Sequence, residues 1–248
     1  MKQVVGGVLM ATALVVTSAQ ASDDEWDVAL GIGVGASQSP YKGVGTETDV
    51  LPLLMIEKGN FSLSGPKASY DLYSSDVGYF SVLAAYRGEG FDASDSSDLT
   101  GMADRDGAFE MGLGAGMYTS VGEFSIEFLS DVSSEHDGYE VELGWENSFP
   151  LSDRWMLSPN ASISYRSDDL NNHYYGVRAS EATATRAAYT ADAGMVGSLG
   201  VDAIWMIDEQ QSLMMGVGIE FYGDEIKDSS IVDRDNSVGG HVAYVYRF

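Results

Sequence analysis

The chain has 248 residues, 38 of them Asp or Glu against 13 Lys or Arg, so its formal charge is -25, with 44% apolar residues. A balance so acidic excludes nucleic acid as a partner, because neutralising phosphates needs clustered basic side chains. With no cysteine, a disulfide framework and a thiolate metal centre are excluded too.

Residues 1–21 read as a cleaved secretory signal peptide. Lys2 supplies a short positive start, residues 4–16 are apolar or small, and Ala19-Gln20-Ala21 fits the small-x-small cleavage rule before the polar Ser22-Asp23-Asp24-Glu25. The apolar run is short for a membrane-spanning helix, which needs about 20 residues. Cleavage removes Lys2 and leaves 12 basic against 38 acidic residues in a mature chain of residues 22–248, read as a single domain. Its destination is then the periplasm, the outer membrane or the medium.

From Trp26 onward the apolar period is two rather than 3.6. Candidate strands fall at residues 26–36, 47–57, 61–73, 77–86, 107–119, 123–131, 139–149, 155–165, 193–207, 212–222 and 236–248. Phe109, Met111, Leu113, Ala115 and Met117 alternate with Glu110, Gly112, Gly114 and Gly116. Phe124, Ile126 and Phe128 alternate with Ser125 and Glu127. Tyr139, Val141, Leu143 and Trp145 alternate with Glu140, Glu142, Gly144 and Glu146, and the strands that follow repeat the pattern. Alternation puts the two sets on opposite faces.

Three features turn the apolar face toward lipid rather than a dry core. Many strands run to about 10 residues or more, which suits a tilted crossing better than the usual soluble strand of about 5 or 6. Aromatic residues stand at the ends of apolar stripes, as with Tyr139 and Trp145 or Trp155 and Tyr165, where an interfacial girdle lies. The other face is rich in Gly, Ser and Glu, a poor dry core but a good wet lumen. The expected fold is therefore all-β: a closed antiparallel transmembrane barrel, in which every backbone group finds a partner.

Eleven candidates conflict with the even number that such a barrel requires when both ends are periplasmic. Twelve strands with one missed toward the N-terminus is the expectation, and ten is the alternative. Tight connections at residues 119–123, 150–154 and 208–211 suit the periplasmic side. Longer ones at 87–106, 131–138, 166–192 and 223–236 suit the outside and carry much of the acid.

If the apolar set faces lipid, then Glu110, Glu127, Glu140, Glu142, Glu146, Asp202 and Glu220 point into the lumen, where Lys67, Arg166 and Arg247 can pair with some of them. At the end of the chain Val242, Tyr244, Tyr246 and Phe248 share one parity. A terminal aromatic stripe of this kind resembles the signal that outer-membrane barrels present to their assembly machinery. Tyr244, Tyr246 and Phe248 are its candidates.

A narrower resemblance rests on short pieces in order: Ser39-Pro40-Tyr41-Lys42-Gly43, Asp49-Val50-Leu51-Pro52-Leu53, Phe61-Ser62-Leu63-Ser64-Gly65, Asn172-His173-Tyr174-Tyr175-Gly176-Val177 and the ending Tyr246-Arg247-Phe248. Across nearly its whole mature length the chain resembles the MipA/OmpV family of Gram-negative outer-membrane proteins. It departs at Ser229-Ser230-Ile231-Val232, where the family usually has Ser-Pro-Leu-Val. The resemblance implies an outer-membrane structural or scaffolding barrel, in contact with lipid and lipopolysaccharide and linked to periplasmic murein-synthesis or murein-hydrolase proteins. The alternative from the residues alone is a small diffusion channel whose acidic lumen favours cations.

No catalytic constellation or cofactor site is expected. Ser134, Glu135 and His136 are merely adjacent in a loop, which does not orient a nucleophile and base. Three scattered histidines do not make a transition-metal site. Asp104-Arg105-Asp106-Gly107 and Asp233-Arg234-Asp235-Asn236 offer hard oxygens for calcium without the spacing of a dedicated loop; solvated acidic turns are the simpler reading.

Overall fold

The computed structural model describes residues 25–248. The expected signal peptide and the expected cleavage before Ser22 lie outside the described residues. The strands are β1 (Asp27–Gln38), β2 (Thr46–Lys58), β3 (Phe61–Ser64), β4 (Lys67–Ser75), β5 (Gly78–Arg87), β6 (Ala108–Thr119), β7 (Gly122–Asp131), β8 (Tyr139–Glu146), β9 (Phe149–Ser152), β10 (Trp155–Arg166), β11 (Gly194–Met206), β12 (Gln211–Tyr222) and β13 (Asn236–Arg247). All belong to one antiparallel sheet in which strands pair with their sequence neighbours, except that β8 and β9 both pair with β10 and not with each other. The first and last strands also pair, from Ala29↔Arg247 to Ser37↔Gly239, and this seam closes the barrel.

Thirteen segments make twelve strands, because β8 and β9 are two halves of one crossing. Both pair with β10, through Asn160↔Glu146 above and Leu157↔Phe149 below, with Asn147 and Ser148 interrupting the ladder. Residues 150–152 therefore continue the strand, and the tight turn is confined to Asp153 and Arg154.

The strand missing from the sequence count is β3. Residues 61–73 are not one strand but two, folded back at Gly65 and Pro66 with Ser64↔Lys67 facing across the turn. Gly65 has φ +54°, a left-handed conformation that glycine adopts without strain. Across the turn the outward set shifts from the odd Phe61 and Leu63 to the even Ala68, Tyr70 and Leu72, because Phe61 pairs with Tyr70 and Leu63 with Ala68.

The alternation divides lipid from lumen. Ile32, Val50, Phe109 and Val217 are each at least 60% exposed on the outer face, while Glu110, Ser158, Ser164 and Asp202 of the same wall are buried inside. A soluble protein does not leave so continuous an apolar surface to water. Aromatic clusters mark the two rims. Tyr139 lies between Phe128 (5.8 Å) and Tyr165 (6.3 Å) near the long loops, and Trp155 stacks on Trp205 at 5.9 Å near the short turns.

Inner-face glycines make room for large inward side chains. The Tyr79 ring occupies the place that a side chain on Gly116 would take, and Asp202 with His241 does the same over Gly216.

Two helices lie in the long loops: α1 (Asp168–Tyr175), capped by the Ser167 hydroxyl accepting from Leu170 N–H, and α2 (Asp224–Lys227). Four external loops meet in an apolar cluster. Tyr41 comes from the first, Phe91, Leu99 and Met102 from the second, Leu170, Tyr174 and Tyr175 from the loop bearing α1, and Ile226 and Ile231 from the last. This cap closes over the external mouth.

Candidate functional site in the barrel lumen

Beneath the cap the wall encloses a cavity of about 680 Å³. Its upper layer is an ion network. Arg87 at the end of β5 donates from Nε to Glu110 (2.8 Å) and from Nη1 to Glu89 (2.9 Å). Arg166 at the end of β10 donates from Nε to Glu140 (2.7 Å) and holds both Glu89 oxygens, at 2.9 and 3.1 Å. The two guanidinium groups are 9% and 5% exposed. Burial strengthens these pairs and makes an unpaired member costly.

Lower down, charge compensation thins out. Lys67 reaches across from β4 to both oxygens of Glu127 at 2.5 Å. Glu142 accepts from the Ser162 hydroxyl (3.0 Å), and Asp202 from the Asn160 amide (2.8 Å), with His241 at 3.6 Å. Glu220 lies 3.0 Å from the Tyr222 hydroxyl and 3.9 Å from Arg166. Glu146 faces Glu123 directly across the β7–β8 ladder, and Glu127 faces Glu142 in the same way. Like charges in opposed cross-strand positions are destabilising, so this column needs water or a cation beside it.

All seven acids singled out from the sequence thus lie on the inner face. Glu110 and Glu140 join the arginines and Glu127 joins Lys67; Glu142 bonds Ser162, Asp202 bonds Asn160 beside His241, Glu220 bonds Tyr222 near Arg166, and Glu146 faces Glu123. Arg247 instead meets Asp27 at the periplasmic rim, 3.2 Å away. Sequence reading missed Arg87 and Glu89. The parity of Tyr79, Ser81, Leu83 and Ala85 points Arg87 inward and could have found it; Glu89, in a loop, left no such signal.

The structure separates the adjacent Ser134, Glu135 and His136. The first two are exposed, whereas His136 is buried, accepting at Nδ1 from Gly138 N–H (3.0 Å) with Nε2 3.3 Å from Glu110. No nucleophile and base are brought together there. Arg105, from the acidic Asp104-Arg105-Asp106 run, turns inward as a clamp, donating to the His173 carbonyl (2.6 Å) and to Glu181 (3.0 Å). Among the described residues no group of three or more His, Asp or Glu is arranged to hold a metal ion.

His173 gives the cap a pH dependence. Burial first, then the nearby Arg105 guanidinium, disfavours its cation and lowers its pKa from 6.5 to about 4. The unfolded loop therefore binds a proton first as pH falls. This contribution to cap stability is complete above pH 6.5 and is lost as the pH drops through about 4. Proteolysis of residues 176–193 should accelerate over that window, and less so in His173→Gln; a flat cleavage rate would remove His173 from the cap's energetics.

The aromatic terminus lies on the lipid face. Tyr244 and Tyr246 donate from their hydroxyls to Gln211 (2.6 Å) and Gln210 (3.3 Å), and the Phe248 ring packs edge-on to Tyr246 at 5.1 Å.

The family model described as MltA-interacting protein MipA matches residues 30–248. The chain belongs to this family. Outer membrane protein OmpV of Vibrio cholerae is 31% identical over 192 residues, covering 76% of this chain and 74% of the relative. The MltA-interacting protein of Escherichia coli is 25% identical over 224 residues, covering 89% and 90%. A solved NanC porin covers 88% of this chain and 100% of its own at a TM-score of 0.47 and 7% identity, a likeness too loose to transfer anything about transport. This MipA-family chain is an outer-membrane protein with a transmembrane β-barrel.

Proposed function

We propose that the protein is a structural barrel that anchors murein-synthesis or murein-hydrolase proteins, or other envelope-maintenance proteins, to the inner side of the outer membrane, with no catalysis of its own. The cap supports this reading most directly. Four external loops pack a dry apolar layer over the mouth and seat it on a buried ion network, an arrangement suited to a closed support rather than an axial pore. The name of the Escherichia coli relative, MltA-interacting protein, supports a murein-related partner. Lipid meets the outer face, and lipopolysaccharide the external rim. The test is capture of purified murein hydrolases and synthases on the immobilised full barrel. Retention that is lost when the periplasmic turns are exchanged supports the role; no retention of any of them refutes it.

A small cation-favouring channel is the second reading, and the acid-lined cavity favours it. Stepwise conductance in a planar bilayer, with cation preference reduced in Glu142→Gln and Glu146→Gln, would establish it over the closed support.

In the same reading residues 1–21 are removed and residues 22–248 form the single mature domain, so the protein isolated from membranes should begin at Ser22. Tyr244, Tyr246 and Phe248 serve as the assembly signal. Phe248→Ala should lower the amount of heat-modifiable barrel in the membrane several-fold while synthesis is unchanged. Equal amounts of assembled protein would reduce Phe248 to a rim contact.

A further inference from the structure

The β3 strand is too short to complete the wall. On one side β2 pairs with β1 along its whole length, from Asp27↔Glu57 to Gln38↔Thr46. On the other its ladder with β3 covers only Met55 to Lys58. Above Met55, Gly65 N–H still bonds the Leu54 carbonyl (3.1 Å), but residues 46–53 have no strand partner on that side among the described residues. Pro52 lies in this free stretch, where a missing N–H costs no ladder bond. Across the gap the β3–β4 turn is tied to β5, with Tyr86 N–H donating to the Pro66 carbonyl at 3.0 Å.

The lumen cavity reaches this gap. Its boundary includes Leu51 and Leu53 on the free edge, Gly65 and Pro66 below, and Tyr86 and Gly88 opposite. A side chain built on Gly65 would meet nothing within 4 Å. The frame is largely apolar, whereas the cavity behind it is acidic: its lining holds nine Glu against Lys67, Arg87 and Arg166. All three cations already pair with Glu127, Glu110, Glu140 and Glu89, leaving Glu142 to the Ser162 hydroxyl and Glu146 opposite Glu123.

We propose that the gap between β2 and β5 is a lateral portal through which the lumen takes a cationic amphiphile, an amine or quaternary ammonium on an alkyl chain, from the outer leaflet. The apolar frame accepts the chain. The carboxylates accept the head, relieving the like-charge column on β7 and β8. Because the cap covers the external mouth, sideways entry brings a membrane-dissolved ligand to these acids without crossing a dry layer.

The test uses the full barrel reconstituted in phosphatidylcholine vesicles and two photoreactive dodecyl probes, one with a trimethylammonium head and one with a sulfate head. The ammonium probe should label the barrel saturably at the β2 edge, the β3–β4 turn and the inner face. The sulfate probe should label those positions about tenfold less, the discrimination expected from roughly one ion-pair's difference in affinity. Leu53→Trp should fill the portal and cut inner-face labelling by about tenfold; Pro66→Trp, at the opposite border, provides the same test should the first variant fail to assemble. Labelling spread evenly around the outer belt, equal labelling by both probes, or inner-face labelling undiminished in assembled portal variants would overturn the proposal.

Discussion

Arg166→Met is expected to destabilise the barrel by about 3–5 kcal/mol, the usual cost of removing one partner from a buried ion pair. The guanidinium holds Glu140 through Nε and both oxygens of Glu89 through its terminal nitrogens, at distances between 2.7 and 3.1 Å. Its loss leaves Glu89 and Glu140 to share Arg87, which also serves Glu110. The loss should show as a lower temperature for disappearance of the compact gel band and a lower urea midpoint. Adding Glu140→Gln should restore part of it, because one unpaired charge is then gone. A change within about 1 kcal/mol, typical of exposed pairs, would mean that water reaches the network freely.

Tyr174→Ala should do comparable damage by another route. The Tyr174 side chain is fully buried in the cap, its ring 4.6 Å from that of His173 and its hydroxyl 3.3 Å from the Asp106 carbonyl. Truncating a buried aromatic costs about 3–5 kcal/mol through lost transfer energy and the cavity left behind. Because the ring joins α1 to the loop between β5 and β6, the effect should concentrate at the cap. Residues 88–107 and 176–193 should become sensitive to external protease while the barrel strands stay protected. Tyr174→Phe, which keeps the volume, should cost only about 1 kcal/mol for the lost hydrogen bond. Unchanged protection in Tyr174→Ala would show that the four loops hold their positions independently.

Much of the wall was legible because each strand carries its own instruction. Phe109, Met111 and Leu113 face lipid and Glu110 faces inward for the same reason, the two-residue repeat, and no distant contact is needed to read it. The β3–β4 hairpin is easily read as one strand, since the four residues of β3 are too short a run to fix a parity before it shifts from Phe61 and Leu63 to Tyr70 and Leu72. Gly65-Pro66 and that shift of parity are its marks. Facing was also easier to read than pairing. Parity brings Glu140 inside but cannot tell that Arg87 joins Arg166 there, because β5 and β10 are not neighbours and three strands of wall lie between them. Loop residues such as Glu89, Arg105 and Glu181 have no repeat to fix their direction, and only the packed cap shows that two of them clamp each other.

The β1–β13 seam has a kinetic consequence. Ala29 and Arg247 lie at opposite ends of the described sequence, yet they are partners in a ladder that runs to Ser37↔Gly239. Contacts so remote in sequence impose the largest chain-closure cost and form slowly. β1 has no mate until β13 arrives, so until then the edges of β1 and of the last strand placed stay open to wrong neighbours. A truncation that spares every other strand but removes β13 should therefore yield aggregate or degraded chain rather than a slightly smaller cylinder, since the circle has no partial form.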